Sequence, residues 1–185
     1  LYSEGGDVLV DIFTECLKYG TQNRVLYFAS TSKISFPGSG VAILAAAEAN
    51  LKQIKSVLGI QTIGFDKINQ MRHVKYFGSA EGILEHMKRH AAIIRPKFEI
   101  MDKVMHEELD GTGAAEWIMP RGGYFISLYV PEGCARRVYQ LCRSVGVTLT
   151  TAGSTYPYGR DPQNANLRIA PTFPEPDELK LAVEI

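Results

Sequence analysis

Apolar residues recur at three- and four-residue steps from Ile83 to Leu109, by way of Leu84, Met87, Ala91, Ile94, Phe98, Met101 and Met105. That spacing keeps one apolar stripe along a single helix, and Ser79 stands where an N-cap belongs. A helix over residues 79–109 would run about 45 Å at a rise of about 1.5 Å per residue. Pro96 sits in its middle. It lacks an N–H and crowds the turn before it, so a kink is expected there. An element this long serves best as a link between two domains, and the chain has a different rhythm on either side of it.

Ahead of the long helix, residues 7–19 read as an amphipathic helix, with Asp7 placed to cap it and Gly20 to stop it. Residues 25–29 are an apolar run that reads as a buried strand, and residues 41–46 are a second one. A helix follows over residues 48–58, ending near Gly59, and another from Asp66 to about Val74. Beyond the long helix, residues 116–119 and 124–130 flank Pro120-Arg121-Gly122-Gly123 and read as a hairpin. A helix over 135–145, a strand over 147–151, a polar loop and the run Leu167-Arg168-Ile169-Ala170 complete a small α+β layer.

Composition mainly excludes. Twenty basic residues balance twenty acidic ones, so no electrostatic footprint points to nucleic acid or to an anionic membrane. No apolar run is long enough to span a bilayer, and no signal-peptide pattern is present. Cys16, Cys134 and Cys142 are odd in number and scattered, which argues against a disulfide framework or a structural zinc site. A reducing cytoplasm is the expected compartment. The chain begins at Leu1 and stops at Ile185 inside a helical pattern, so a piece of a longer protein is expected.

Chemistry concentrates in Ser30-Thr31-Ser32-Lys33-Ile34-Ser35-Phe36-Pro37-Gly38-Ser39-Gly40, between the two apolar runs. A lysine at the end of a core strand is partly out of water, which favours its neutral, nucleophilic form. Nearby hydroxyls and backbone N–H groups suit a phosphate. Together these meet the needs of pyridoxal phosphate, an amine for the aldehyde and donors for the phosphate. The same residues also describe an ordinary solvated loop. Ser30-x-x-Lys33 further matches a serine acyl-enzyme motif, but its companion Ser-Asp-Asn and Lys-Thr-Gly elements are absent from the sequence. Arg168, flanked by Leu167 and Ile169, suits a carboxylate clamp or the solvent face of a strand. His86 and His90 are one turn apart, without the glutamate of a zinc hydrolase between them, and read as surface residues.

Ser30-Thr31-Ser32-Lys33, Pro37-Gly38, Pro120-x-Gly122-Gly123-Tyr124-Phe125 and Leu167-Arg168-Ile169-Ala170-Pro171, in that order, resemble the C-terminal half of a fold-type I, class I/II aminotransferase. Residues 29–42 and 156–174 are most similar to a bacterial aspartate aminotransferase subgroup. The resemblance implies an α/β, pyridoxal-phosphate-dependent transferase fold. Residues 1–94 would be the C-terminal part of the large domain, and residues 95–185 a small α+β domain truncated at its end. The lysine strand and the strand after it would be antiparallel neighbours.

The resemblance also implies roles. Lys33 matches the lysine that forms a Schiff base with pyridoxal 5'-phosphate and then moves the substrate proton. Ser30 matches a phosphate ligand, with Ser32 and Ser39 as further cofactor contacts. Arg168 matches the arginine that grips the α-carboxylate. The implied reaction moves an amino group between an amino acid, aspartate or glutamate, and a 2-oxo acid, in a cytoplasmic homodimer. Two departures stand out. The family's second phosphate anchor, an arginine, is replaced at its position by Gly40, with Ser39 beside it. Its pyridine-pairing aspartate would lie upstream of Leu1, since Asp7 and Asp11 fall on the first predicted helix. Arg121, Arg160 and residues outside this chain are the candidates for a distal carboxylate. The alternative is a non-catalytic sensor domain of a transcription regulator, which reuses the same fold.

Overall fold

The structure, a computed structural model, describes residues 9–185. The chain forms two compact units that meet in sequence between Met87 and Lys88. The first holds α1 (Ile12–Lys18), β1 (Leu26–Ser30), β2 (Ala42–Ala46), α2 (Glu48–Gln61) and α3 (Lys67–Phe77). The second holds β3 (Glu116–Ile118), β4 (Ile126–Tyr129), α5 (Ala135–Ser144), β5 (Asn166–Ile169) and α6 (Pro176–Glu184). The long helix, α4 (Ala80–Leu109), is continuous over 30 residues and is not broken at Pro96.

In residues 9–87, β1 and β2 pair antiparallel from Leu26↔Ala46 to Ser30↔Ala42, which is the neighbour relation that the resemblance implied. The expectation of a buried strand fails, however. Leu26, Tyr27 and Phe28 are 49, 51 and 68% exposed, although Val25 just before them is buried. A continuous apolar run expects cover on both faces, and a two-stranded ribbon cannot supply it to itself. The first helix is shorter than predicted and starts later. Asp11 caps it, accepting from the Phe13 N–H at 3.1 Å and from the Thr14 hydroxyl at 2.6 Å. Asp7 lies outside the described residues. Helix α2 continues through Gly59 to Gln61, because a lone glycine costs only about 1 kcal/mol within a helix. Asp66 caps α3 through the Asn69 N–H at 2.9 Å, and Ser79 caps α4 through the Gly82 N–H at 3.2 Å.

In residues 88–185 the sheet order is β3-β4-β5, all antiparallel. The register aligns Trp117 with Leu128 and Leu128 with Leu167 on one face. That face packs Ile126, Leu128 and Leu167 against Met101 and Met105 of α4, Ala135 of α5 and Leu179 of α6. The opposite face is more polar and carries Ser127, Asn166 and Arg168, with Ser127 directly across from Arg168. The strand expected over 147–151 is absent. The Val147 N–H turns back to the Cys142 carbonyl at 2.9 Å, and this segment joins no ladder.

Asp161 organises the approach to β5. Its carboxylate accepts from the Gln163 N–H at 3.0 Å, the Ala165 N–H at 2.7 Å and the Asn166 N–H at 2.8 Å. Burial pushes its carboxyl up, but the backbone N–H groups outweigh this and hold it below the ordinary aspartate value. A folded value below the unfolded one stabilises above about pH 4, and that contribution is lost as pH falls through the folded value. Asp161→Ala is therefore expected to cost about 3 kcal/mol at pH 7, where several N–H groups lose a charged acceptor. The gap between wild type and variant should narrow below about pH 4. Urea unfolding at pH 7 and pH 3 measures this, and an equal gap at both would exclude a charge-dependent role.

Candidate active site

The loop joining β1 to β2 begins as a single helical turn. The Ile34 N–H bonds the Thr31 carbonyl at 2.8 Å, and the Ser35 N–H bonds the same oxygen at 2.9 Å. Thr31 and Ser35, four residues apart, share one face of that turn. Both reach the buried His73 of α3. Ser35 Oγ lies 2.7 Å and Thr31 Oγ1 3.3 Å from His73 Nε2. Ser32 and Lys33 occupy the rest of the turn and are exposed. The expected partial burial of Lys33 is not observed, because the strand that delivers it is itself uncovered.

Ser30 and Ser32 come together, with their hydroxyl oxygens 3.1 Å apart. Ser39 lies on the far arm of the loop and is tied there through its backbone. Its N–H bonds the Phe36 carbonyl at 3.1 Å, and its own carbonyl accepts from Asn69 Nδ2 at 2.8 Å. Gly40 passes against Ser32. A Cβ at position 40 would sit 3.2 Å from Ser32 Oγ and 3.4 Å from its backbone N and Cα. A side chain there would crowd the Ser32 hydroxyl. Two converging hydroxyls beside an exposed amine are a donor set that fits a phosphate-bearing aldehyde.

Arg168 lies in the other unit, on the polar face of its sheet. Its guanidinium carbon stands 4.4 Å from the centroid of the Phe125 ring, a stacking geometry that restrains the side chain. Arg168 Nε is shielded from water and has no hydrogen-bond partner among the described residues. Such a donor is costly unless an acceptor arrives, and a carboxylate laid along the guanidinium edge supplies one. Next to Arg168 on the same face, Asn166 donates to Ser127 Oγ at 2.9 Å and accepts from Thr155 Oγ1 at 2.8 Å. Of the two distal-carboxylate candidates in this chain, Arg160 is exposed in the polar loop. Arg121 lines a cleft of about 450 Å³ with Arg95, Phe98, Glu99 and Asp102 of α4.

Four residues around these sites were not legible as functional from their own positions. His73 and Asn69 support the lysine loop from α3. His86 was read as a surface residue, but its Nε2 meets the Ile34 carbonyl at 2.8 Å. Lys97 is buried in α4 and donates to the Thr172 and Pro174 carbonyls at 3.0 and 2.6 Å, pinning the segment that follows Arg168. No local signal marks Asn69 or His73, since their i, i+4 spacing is shared by His86 and His90.

Comparison with known proteins bears on what these groups do. A family model described as aspartate amino-transferase matches residues 1–185. The aspartate aminotransferase of Corynebacterium glutamicum is 44% identical over 165 residues, 89% of this chain and 38% of that protein. The crystal structure of an aspartate transaminase from the same organism superposes with a TM-score of 0.90 at 43% identity, covering 95% of this chain and 41% of that one. The α-aminoadipate aminotransferase LysN of Thermus thermophilus, solved with N-(5'-phosphopyridoxyl)-L-leucine, shares the fold at a TM-score of 0.77 and 21% identity. It is covered over 45% of its length, and this chain over 97%. The chain spans about two fifths of the length of the curated relatives it matches.

Proposed function

From the membership of this chain in the aspartate aminotransferase family, we propose that the whole protein is a pyridoxal-phosphate-dependent aminotransferase that moves amino groups between aspartate or glutamate and 2-oxo acids. The observation that carries the reading is the Lys33 turn: an exposed amine beside two converging hydroxyls, at the end of a strand and held from behind by a buried histidine. On this reading the chain up to residue 94 belongs to the large, cofactor-binding domain and residues 95–185 to the small one.

Pyridoxal phosphate, when bound, supplies an electron sink for the charge that develops at the substrate Cα. This chain's residues do the rest. Ser30 and Ser32 donate to phosphate oxygens, and Ser39 adds a contact from the far arm of the loop. Lys33 Nζ holds the cofactor, then removes the proton from the substrate Cα and returns it on the other side of the reaction. Arg168 binds the α-carboxylate with parallel N–H donors, which fixes the direction of the Cα–H bond. The whole protein works as a homodimer on this reading. The exposed apolar side chains of β1 and β2 are surface of the kind that further protein covers.

The test is chemical trapping. The whole protein is mixed with pyridoxal 5'-phosphate, reduced with borohydride and digested, and the modified peptide is mapped by mass. A pyridoxyl group on Lys33, and a shift of the visible absorption on adding aspartate, are the expected results. No adduct would sink the enzyme reading. An adduct with no response to any amino acid would favour the non-catalytic sensor.

A further inference from the structure

Asn69 and His73 stand one turn apart on α3, and between them they hold both arms of the Lys33 loop. The Asn69 carbonyl lies 2.9 Å from His73 Nδ1. A carbonyl only accepts, so Nδ1 carries the proton, and in that tautomer Nε2 is open to a donor. Ser35 Oγ stands 2.7 Å and Thr31 Oγ1 3.3 Å from Nε2. Ser35 Oγ also donates to Thr31 Oγ1 at 2.8 Å, and Thr31 Oγ1 accepts from the Val41 N–H at 2.9 Å. Val41, Thr31, Ser35 and His73 are thus joined in one connected hydrogen-bond relay. On the other arm, Asn69 Nδ2 donates to the Ser39 and Gly40 carbonyls at 2.8 and 3.4 Å. Lys33 sits between Thr31 and Ser35, inside the clamped turn.

Ring packing fixes the histidine itself. Phe36 meets His73 edge to face with centroids 5.2 Å apart, and Phe77 lies 5.9 Å away on its own helix. His86 adds a second peg one residue after Lys33, through the Ile34 carbonyl. Helix α3 thus touches the loop at its beginning, its middle and its end, while Ser32 and Lys33 remain exposed.

We propose that His73, with Asn69, is a positioning residue for Lys33: it sets the Thr31–Ser35 turn and so the place of the lysine amine. The proposal rests on the assignment of Lys33 made above. A histidine needed only to fill space would be replaced by phenylalanine without consequence, whereas one needed as an acceptor would not.

The experiment uses the whole protein with His73→Phe and, separately, Ser35→Ala. Phenylalanine keeps the contacts to Phe36 and Phe77 but removes both ring nitrogens. Ser35→Ala leaves the histidine in place and breaks the relay. Two readouts are taken. Amide hydrogen exchange over residues 31–41 should quicken about fivefold or more in both variants, the worth of about one hydrogen bond, with β1, β2 and α4 keeping their protection. The turnover number with aspartate should fall about tenfold to a hundredfold, as expected for a misplaced reacting group, with KM within about threefold. Wild-type exchange in both variants would overturn the clamp, and faster exchange with unchanged turnover would overturn its role in positioning Lys33. If His73→Phe loses protection throughout, Ser35→Ala alone decides. The enzyme reading fails separately, if the wild-type protein takes no cofactor at Lys33, and the exchange result still tests the clamp.

Discussion

Lys33→Ala is expected to abolish transamination by the whole protein, with a loss of at least about 10³–10⁴-fold, the usual worth of a positioned proton-transfer group. The unfolding midpoint should stay where it is. The turn around Lys33 is held by Thr31, Ser35 and His73, and Lys33 itself is exposed. Substitutions at such positions stay within about 0.5 kcal/mol. Lys33→Arg sharpens the result. It keeps the positive charge, but a guanidinium does not give up its proton at working pH. If the lysine served only as a charge for the phosphate, arginine would retain much of the activity; if it moves the Cα proton, arginine is as inactive as alanine. Single-turnover conversion of aspartate, read by absorbance and by product, measures both. An alanine variant that keeps its turnover would show that the amine lies elsewhere.

Much of this was readable from residue spacing, for reasons that differ by element. Helix α4 was legible because a 3.6-residue period over so many residues has no other explanation; its bounds, Ala80–Leu109, fall within one residue of the pattern. The β3–β4 hairpin was legible from Pro120 and the two glycines between apolar runs. The burial of β1 was not. An apolar run states what a strand requires, not whether the cover is present in the same stretch of chain, and Phe28 is left 68% exposed. Strand 147–151 failed for a related reason, since β-propensity without a partner makes an extended segment and not a ladder.

The support of the site was harder to read than its chemistry. Lys33 and Arg168 announce themselves by type and context. His73 does not, because its partners Ser35 and Thr31 are 38 and 42 residues away in sequence. Nothing local distinguishes it from His86 or His90. Lys97 is similar: the carbonyls that hold it, on Thr172 and Pro174, are 75 and 77 residues distant. A lysine in a helix reads as solvated until the fold brings acceptors to it. The candidate binding residues were thus visible as residue types, and the residues that hold them in place became visible only through tertiary contacts.

Arg168→Ala should raise KM for the amino-acid substrate about 100-fold, or about 2.7 kcal/mol, which is within the range of hydrogen bonds to a charged group. The guanidinium has a buried Nε without a partner among the described residues, so an arriving carboxylate satisfies a donor as well as a charge. Phe125 beneath it, 4.4 Å from the guanidinium carbon, restrains the fork before substrate arrives and lowers the entropy lost on binding. Arg168→Lys separates these contributions. A lysine keeps the charge but loses both the parallel donors and the flat face that stacks on the ring. Its KM is therefore expected to lie between wild type and alanine, nearer to alanine. Phe125→Leu leaves the arginine intact and should raise KM only a few-fold. Substrates lacking the α-carboxylate give the decisive comparison. An amine without that group should be handled equally poorly by wild type and Arg168→Ala, because the interaction being deleted is absent from both. If the alanine variant discriminates against such an amine as strongly as wild type does, the carboxylate is bound by another residue and Arg168 serves the sheet alone.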